Sequence, residues 1–238
     1  MEDKRVIIAI TIILMLVAIA AYFALPKPVE EVEMETRGMK VGDRITLPEP
    51  RYDGDISVEK ALLERRSIRD YSNENLTIEE VSQLLWAAQG VTVEWGGRTA
   101  PSAGALYPLE LYLVVGDVEG LDKGIYIYIP EQHELLKVGN DDIRVELAEA
   151  ALGQEPVKDG RVDIVFTAVY TRTTSKYGER GIRYVHAEAG CAIQNVYLQA
   201  TSLGLGTVVI GAFYDEEVKE IMNIDEDPLY IMPVGRRY

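Results

Sequence analysis

Hydrophobic positions divide the chain into three parts. Val6 to Leu25 is a run of about 20 residues without a charge, enough for a helix to cross a bilayer core of roughly 30 Å. Residues 26–54 mix prolines, glycines and acidic residues with no sustained period, the pattern of a stalk or extended arm. From Ile56 the chain turns periodic. The pattern therefore predicts a membrane anchor or signal segment over 1–25, a linker and arm over 26–54, and one folded domain over 55–238.

Within the domain the spacing switches between helix and strand several times. Ser57 to Arg66 suits a helix with Val58, Ala61, Leu62 and Leu63 on one stripe. Thr77 and Glu80 have capping-box spacing and open a second helix that ends at Gly90. Strands are predicted at Leu111–Val115, Asp163–Tyr170, Thr207–Ile210 and Tyr230–Val234, with a hairpin of 124–129 and 134–138 around Pro130-Glu131-Gln132-His133. Asp142–Leu152 and Asp215–Met222 read as helices. The longest helical signal runs from Arg183 to Leu203, apolar or small at 185, 189, 192, 193, 196, 200 and 203, with Gly204 placed to end it. Ala187, Ala189, Gly190, Cys191 and Ala192 keep one side of it small, so another backbone could approach closely. Helices and strands intermingle without a strict βαβ rhythm, which predicts an α+β domain.

Charge and composition narrow the partners. A formal net charge of -15 argues against nucleic acid, whose phosphate backbone demands a net basic face. A single cysteine, Cys191, leaves no intramolecular disulfide, and two histidines, His133 and His186, argue against a zinc site. His186 and Cys191 share no helix face and read as structural. Lys4 and Arg5 precede the apolar run, and Glu30, Glu31, Glu33 and Glu35 follow it. The positive-inside rule then puts the N-terminus in the cytoplasm and the domain outside. Ala18-Ile19-Ala20 has the form of a processing site, but the apolar run continues to Leu25 and favours an uncleaved anchor.

Four segments carry candidate chemistry. Arg65, Arg66, Ser67 and Arg69 form a tight basic knot in an acidic chain. Arginine matches phosphate bidentately and serine adds a directional hydrogen bond; a solvated helix end is the competing account. Pro101, Ser102, Ala103, Gly104 and Ala105 make a loop of small residues before a strand, fit either to lie close to a flat ligand or simply to reverse the chain. Gly204-Leu205-Gly206 precedes a strand instead of following one, the reverse of the dinucleotide-binding order. Ile210, Gly211 and Ala212 at that strand's end could instead present backbone N–H groups to a ligand, or mark a bulge. Lys176 and Tyr177 lie in a polar run that reads as an exposed loop, or as a proton-transfer pair if burial tunes them. No metal site is read.

Taken in order, Arg-Arg-Ser-x-Arg, Pro-Ser-Ala-Gly-Ala-Leu-Tyr-Pro-Leu-Glu, a long helix with Gln194-Asn195, Gly-Leu-Gly with Ile-Gly-Ala-Phe, and Pro233-Val234-Gly235 resemble the FMN-dependent nitroreductase superfamily. The likeness is greatest to SagB-like dehydrogenases, relatives of the azoline oxidases of thiazole/oxazole peptide biosynthesis. It covers about residue 56 to the end. The resemblance implies an α+β sandwich with a mixed central sheet flanked by helices, dimerising through its long helices with FMN at the interface. It implies that Arg65, Arg66 and Ser67 hold the phosphate and ribityl chain, that Arg69 sits near flavin N1/O2, that Pro101 to Ala105 line the ring edge, and that Ile210, Gly211 and Ala212 approach N5 and O4. A guanidinium near N1 would stabilise the charge of reduced flavin. Many members carry Asn where Ala105 stands, so that side-chain contact is missing. A basic residue of the family's tail reaches the phosphate, which nominates Arg236, or Arg237 beside it. Lys176 and Tyr177 resemble the Lys-Tyr pair of the azoline dehydrogenases. The expectation is a membrane-anchored homodimer with its domain outside the cytoplasm, transferring a hydride between a small-molecule or peptide substrate and flavin N5. A non-catalytic FMN-binding module and an NAD(P)H-dependent nitro or quinone reductase are the alternatives.

Overall fold

The computed structural model describes residues 42–238, with Met15 alone before them. The predicted anchor over 6–25, Met15 apart, and the arm up to residue 41 lie outside the described residues. Among the described residues no helix is long and apolar enough to cross a membrane.

Seven strands form the central sheet, in the spatial order β1 (Arg44–Thr46), β6 (Glu134–Gly139), β5 (Gly124–Ile129), β3 (Leu109–Val115), β7 (Val162–Ala168), β9 (Asp227–Arg236) and β8 (Leu205–Thr207). Every pairing in it is antiparallel. The expected mixing of strand directions is therefore absent from this large sheet. The one parallel pairing among the described residues joins β2 (Leu76–Thr77) to β4 (Val118–Glu119) in a separate two-stranded sheet. Neighbouring strands of the main sheet are reached by hairpins or by returning helices, and both routes bring the chain back reversed.

Strand alternation sends one core to each face of this sheet. Leu111, Leu113 and Phe166 pack with Leu84, Leu85 and Ala88 of α2 (Ile78–Gln89) and with Val185, Ala189 and Val196 of α6 (Arg180–Ser202). Tyr112, Val114 and Val165 face the other way, onto Leu147 of α3 (Arg144–Ala150), Val157 of α4 (Glu155–Asp159), and Val218 and Met222 of α7 (Asp215–Met222). The result is a three-layer α+β sandwich whose central strands are buried on both faces. Each such side chain contributes about 1.5–3 kcal/mol by leaving water.

Several boundaries differ from the pattern-based expectation. The arm is already part of the folded body at β1, and Leu47 beyond it is buried. Within α1 (Val58–Glu64) only Ala61 is buried, while Val58, Leu62 and Leu63 face solvent. The predicted exposed loop after β7 is in fact α5 (Tyr170–Tyr177), with Thr173 its sole buried residue. A helix so polar leaves no apolar period to detect. Ile210 belongs to no strand and makes a single bridge to Ile231.

Candidate active site

α1 stops because Arg65 leaves the helical region, at φ -55 and ψ 126. The basic segment then runs against α6 and the edge of the sheet. The Arg65 guanidinium stands 5.1 Å from the centre of the Tyr197 ring. Ser67 Oγ is 3.2 Å from Tyr197 Oη, which also accepts the Val209 N–H at 2.7 Å. The Ile68 N–H donates to the Thr207 carbonyl at 2.9 Å. Tyr71 Oη shares its proton between the carbonyls of Ile68 and Pro233. Two glycines make this docking possible: a Cβ on Gly206 would lie 2.6 Å from the Ile68 side chain, and one on Gly235 2.5 Å from the Tyr71 ring. The structure thus brings the basic turn together with the stretch leading into Ile210.

Charge sorts the arginines. Among the described residues Arg65, Arg66 and Arg69 have no carboxylate partner, in a chain with 39 acidic residues. Arg66 donates only to the carbonyls of Leu63 and Arg65. Arg236, nominated for the phosphate, is different: carboxylates surround it. Its guanidinium meets both oxygens of Glu80 at 3.0 Å, lies 3.6 Å from Glu74 and donates to the Asn75 carbonyl. Its donors are committed to the capping end of α2. Arg237 donates to the Leu205 carbonyl at 2.9 Å.

Gly211 and Ala212 are exposed just past the bridge at Ile210. Among the described residues their N–H groups donate to nothing, while the Ala212 carbonyl accepts from Gln154. Gly211 lies beside the Tyr230 ring. That ring faces His186 at 6.5 Å, and His186 Nε2 is 3.0 Å from Tyr170 Oη.

The loop 101–105 is built differently. Gly104, Ala105 and Tyr107 all have positive φ, at 67, 53 and 43, a conformation that strains an alanine or a tyrosine. Tyr107 is pinned to sustain it. Its N–H donates to Ser102 Oγ at 2.9 Å, its Oη accepts the Arg98 N–H, its carbonyl accepts from Arg172, and the Arg98 guanidinium covers its ring at 4.4 Å. Pro101, Gly104 and Ala105 are exposed, and Ser102 and Ala103 partly so. A Cβ on Gly104 would fall 2.7 Å from Tyr177 Oη and 2.9 Å from Lys176 Nζ. The loop therefore rests directly on the Lys-Tyr pair. Lys176 itself is exposed, its Nζ 5.4 Å from the centre of the Tyr177 ring.

Two stations on α6 result. The basic turn and strand end gather at Tyr197. The loop and the Lys-Tyr pair gather near Glu188, nine residues away, or about 13 Å along the helix. A cleft of about 400 Å³ opens between the arm, α1, α2 and α6, lined by Tyr52, Ala61, Trp86, Asn195 and Gln199 among others. None of the predicted site residues lines it. Sequence reasoning did not find Tyr197, Tyr107 or Arg98, whose roles come from partners distant in the chain. Glu188 had a legible signal: an acid one turn from Val185 and Val-type positions on the inward stripe of α6.

The donor set suits FMN. Guanidinium groups without carboxylates, a hydroxyl and unspent backbone N–H groups are what a phosphate and a flavin edge require. A model of the nitroreductase family matches residues 62–236. A candidate nitroreductase of Methanocaldococcus jannaschii is 50% identical over 197 residues, 83% of this chain and 99% of that relative. The microcin B17-processing protein McbC of Escherichia coli is 30% identical over 135 residues, 54% of this chain and 49% of that one. An FMN reductase [NAD(P)H] of Bacillus subtilis is 25% identical over 188 residues, 74% of this chain and 62% of that one. A solved structure of a candidate nitroreductase from Anabaena variabilis superimposes with a TM-score of 0.73 at 33% identity, over 83% of this chain and 42% of the longer one. The chain belongs to the nitroreductase family and is a flavin-dependent oxidoreductase with FMN as its cofactor.

Proposed function

We propose that this oxidoreductase is a SagB-like dehydrogenase that oxidises an organic substrate, a small molecule or a peptide, with Lys176 and Tyr177 as its proton-transfer pair. The observation that carries the reading is the approach of Lys176 Nζ and Tyr177 Oη to Gly104, to within 3 Å of where a Cβ would stand, which sets the candidate pair against the loop proposed to line the flavin ring. FMN, when bound, supplies hydride acceptance at N5. The chain's residues do the rest. Arg65, Arg66 and Ser67 bind the phosphate, Arg69 lies toward the pyrimidine edge, and the N–H groups of Gly211 and Ala212 orient the ring. Lys176 and Tyr177 hold or move the proton that accompanies oxidation of the substrate.

A homodimer completes the site in this reading. Three features support it. Val58, Leu62 and Leu63 of α1 face solvent. Ala187, Gly190 and Cys191 make an exposed small strip on α6. Gly190 has no atom within 4 Å of where a Cβ would sit, so nothing inside the subunit requires glycine there. Two such helices in contact would bring the stations at Tyr197 and Glu188 of opposite subunits toward one another. We also propose that residues 6–25 anchor the domain on the outer side of a membrane, as the uncharged run and the flanking Lys4 and Arg5 suggest.

Lys176→Ala combined with Tyr177→Phe tests the assignment. The double variant should bind FMN as the parent does and lose at least about 100-fold in substrate-driven flavin bleaching. Undiminished bleaching would remove the pair from the chemistry. The FMN reductase relative favours a second reading, reduction by NAD(P)H. Rapid anaerobic bleaching by NADH or NADPH alone would select it.

A further inference from the structure

Beneath the 98–107 loop lies a buried polar cluster that the chemistry above does not use. Glu188 points inward from α6 and is 3% exposed. Among the described residues its Oε1 accepts no hydrogen bond, and Gln89 Nε2 and Arg98 Nε, buried as well, donate none. Arg98 is otherwise engaged: Nη1 donates to Gln89 Oε1 at 3.1 Å and Nη2 to Glu131 at 2.7 Å. Buried polar atoms are rarely left without partners. Here one acceptor and two donors stand unmet in a single cluster, under a loop with three left-handed residues.

Charged groups stand around this cluster among the described residues. Arg98 approaches Glu188 from the segment after α2, with Glu131 of the β5–β6 turn beyond it. Glu110 of β3 pairs with Arg172 of α5. Lys176 and Tyr177 close the end of α5 against Gly104. Burial pushes the Glu188 carboxyl up to about 7, while Ser102, Arg98 and Gln89 draw it partly back.

We propose that Glu188 is a positioning residue for the cofactor, its carboxyl drawing in or releasing the 101–107 loop through Ser102, Gln89 and Arg98. The inference rests on the reading that this loop lines the flavin. Ionised, the carboxylate only accepts, and it offers sites to the Ser102 hydroxyl, Gln89 Nε2 and Arg98 Nε. Protonated, it loses one acceptor and its pull on the guanidinium. Arg98 covers the Tyr107 ring, so any movement of the guanidinium reaches the loop. A drawn-in loop favours FMN. By linkage, FMN then lowers the proton affinity of Glu188, and FMN binding strengthens as pH rises through neutrality.

The test is an FMN titration of the full apoprotein, read by quenching of flavin fluorescence, across about pH 5.5 to 8.5. If binding moves the carboxyl by about one pH unit, parent affinity rises about tenfold over that range. Glu188→Gln should remove the rise above about pH 6.5 and leave only the shallow slope that the second ionisation of the FMN phosphate, near about pH 6, gives by itself. Ser102→Ala, which keeps the carboxyl but cuts its link to the loop, should give a shallower one, and it serves if the first variant does not fold. A flat parent profile, or an undiminished slope in the variants, overturns the proposal. Absence of FMN binding at every pH would instead defeat the flavin-loop reading on which it rests.

Discussion

Arg144 and Arg65 carry the same guanidinium into opposite circumstances. Arg144 donates to both oxygens of Asp142 at 2.8 Å, pairs with Asp117 at 3.1 Å and reaches the Gly160 carbonyl at 2.6 Å. Arg161 joins the same Asp117 at 3.2 Å. The chain is shaped around this group, since a Cβ on Gly116 would lie 1.8 Å from its Cζ. Hydrogen bonds from Arg144 hold the Asp142 carboxyl well below the usual carboxylate range. Among the described residues the Arg65 guanidinium has the face of Tyr197 and no carboxylate. An arginine whose donors are consumed by protein carboxylates ties elements together. One kept without them, in a chain so rich in acid, is the one we propose to meet an anion from outside.

Breaking each side of the comparison should give separable results. Arg144→Ala leaves Asp142 with Lys123 and Asp117 with Arg161 and Lys123, and should cost about 2 kcal/mol of stability, less than a fully buried pair because both carboxylates are partly solvated and keep other partners. Denaturant melts read this, and the folded fraction should bind FMN normally. Asp163 sharpens the contrast from the acid side. It is fully buried near Asp142 but has no hydrogen-bond partner among the described residues, and burial raises its carboxyl well above the ordinary value. Its contribution to stability is complete at acid pH, below the unfolded value, and is lost as pH rises toward the folded one. Asp163→Asn, neutral at every pH, should therefore melt higher than the parent at pH 8, with the gap closing toward acid. A constant gap would contradict this account. Arg65→Ala should leave the apoprotein's melting unchanged while weakening FMN about tenfold, the worth of one charge-assisted hydrogen bond. Arg236→Met should do the least to the cofactor. FMN affinity should hold within about twofold, and stability should fall by about 1 kcal/mol as Glu80 loses its partner.

The contrast also shows what the sequence could and could not convey. The capping box at Thr77 and Glu80 was legible because both partners are local, and each side chain does accept the other residue's N–H. The long helix and the buried strands followed from period alone. α5 was hidden, since seven of its eight residues are not buried. The apolar stripe of α1 was legible, but its fate was not: period announces an apolar face without saying whether the same chain covers it. Basic residues posed the hardest case. Arg65 and Arg236 look alike in sequence, and only the fold decides that Glu80 reaches the second and nothing acidic reaches the first. Glu188, an acid on an inward stripe, carried a signal that went unread, and its connection to Ser102 depends on a loop 86 positions earlier.

The most direct measurement is a crystal structure of the protein loaded with FMN. The account predicts the phosphate within hydrogen-bonding distance of Arg65 and Ser67, with one edge of the isoalloxazine against the N–H groups of Gly211 and Ala212. A phosphate seated elsewhere, such as in the cleft lined by Trp86 and Asn195, with the basic turn left in solvent, would contradict it.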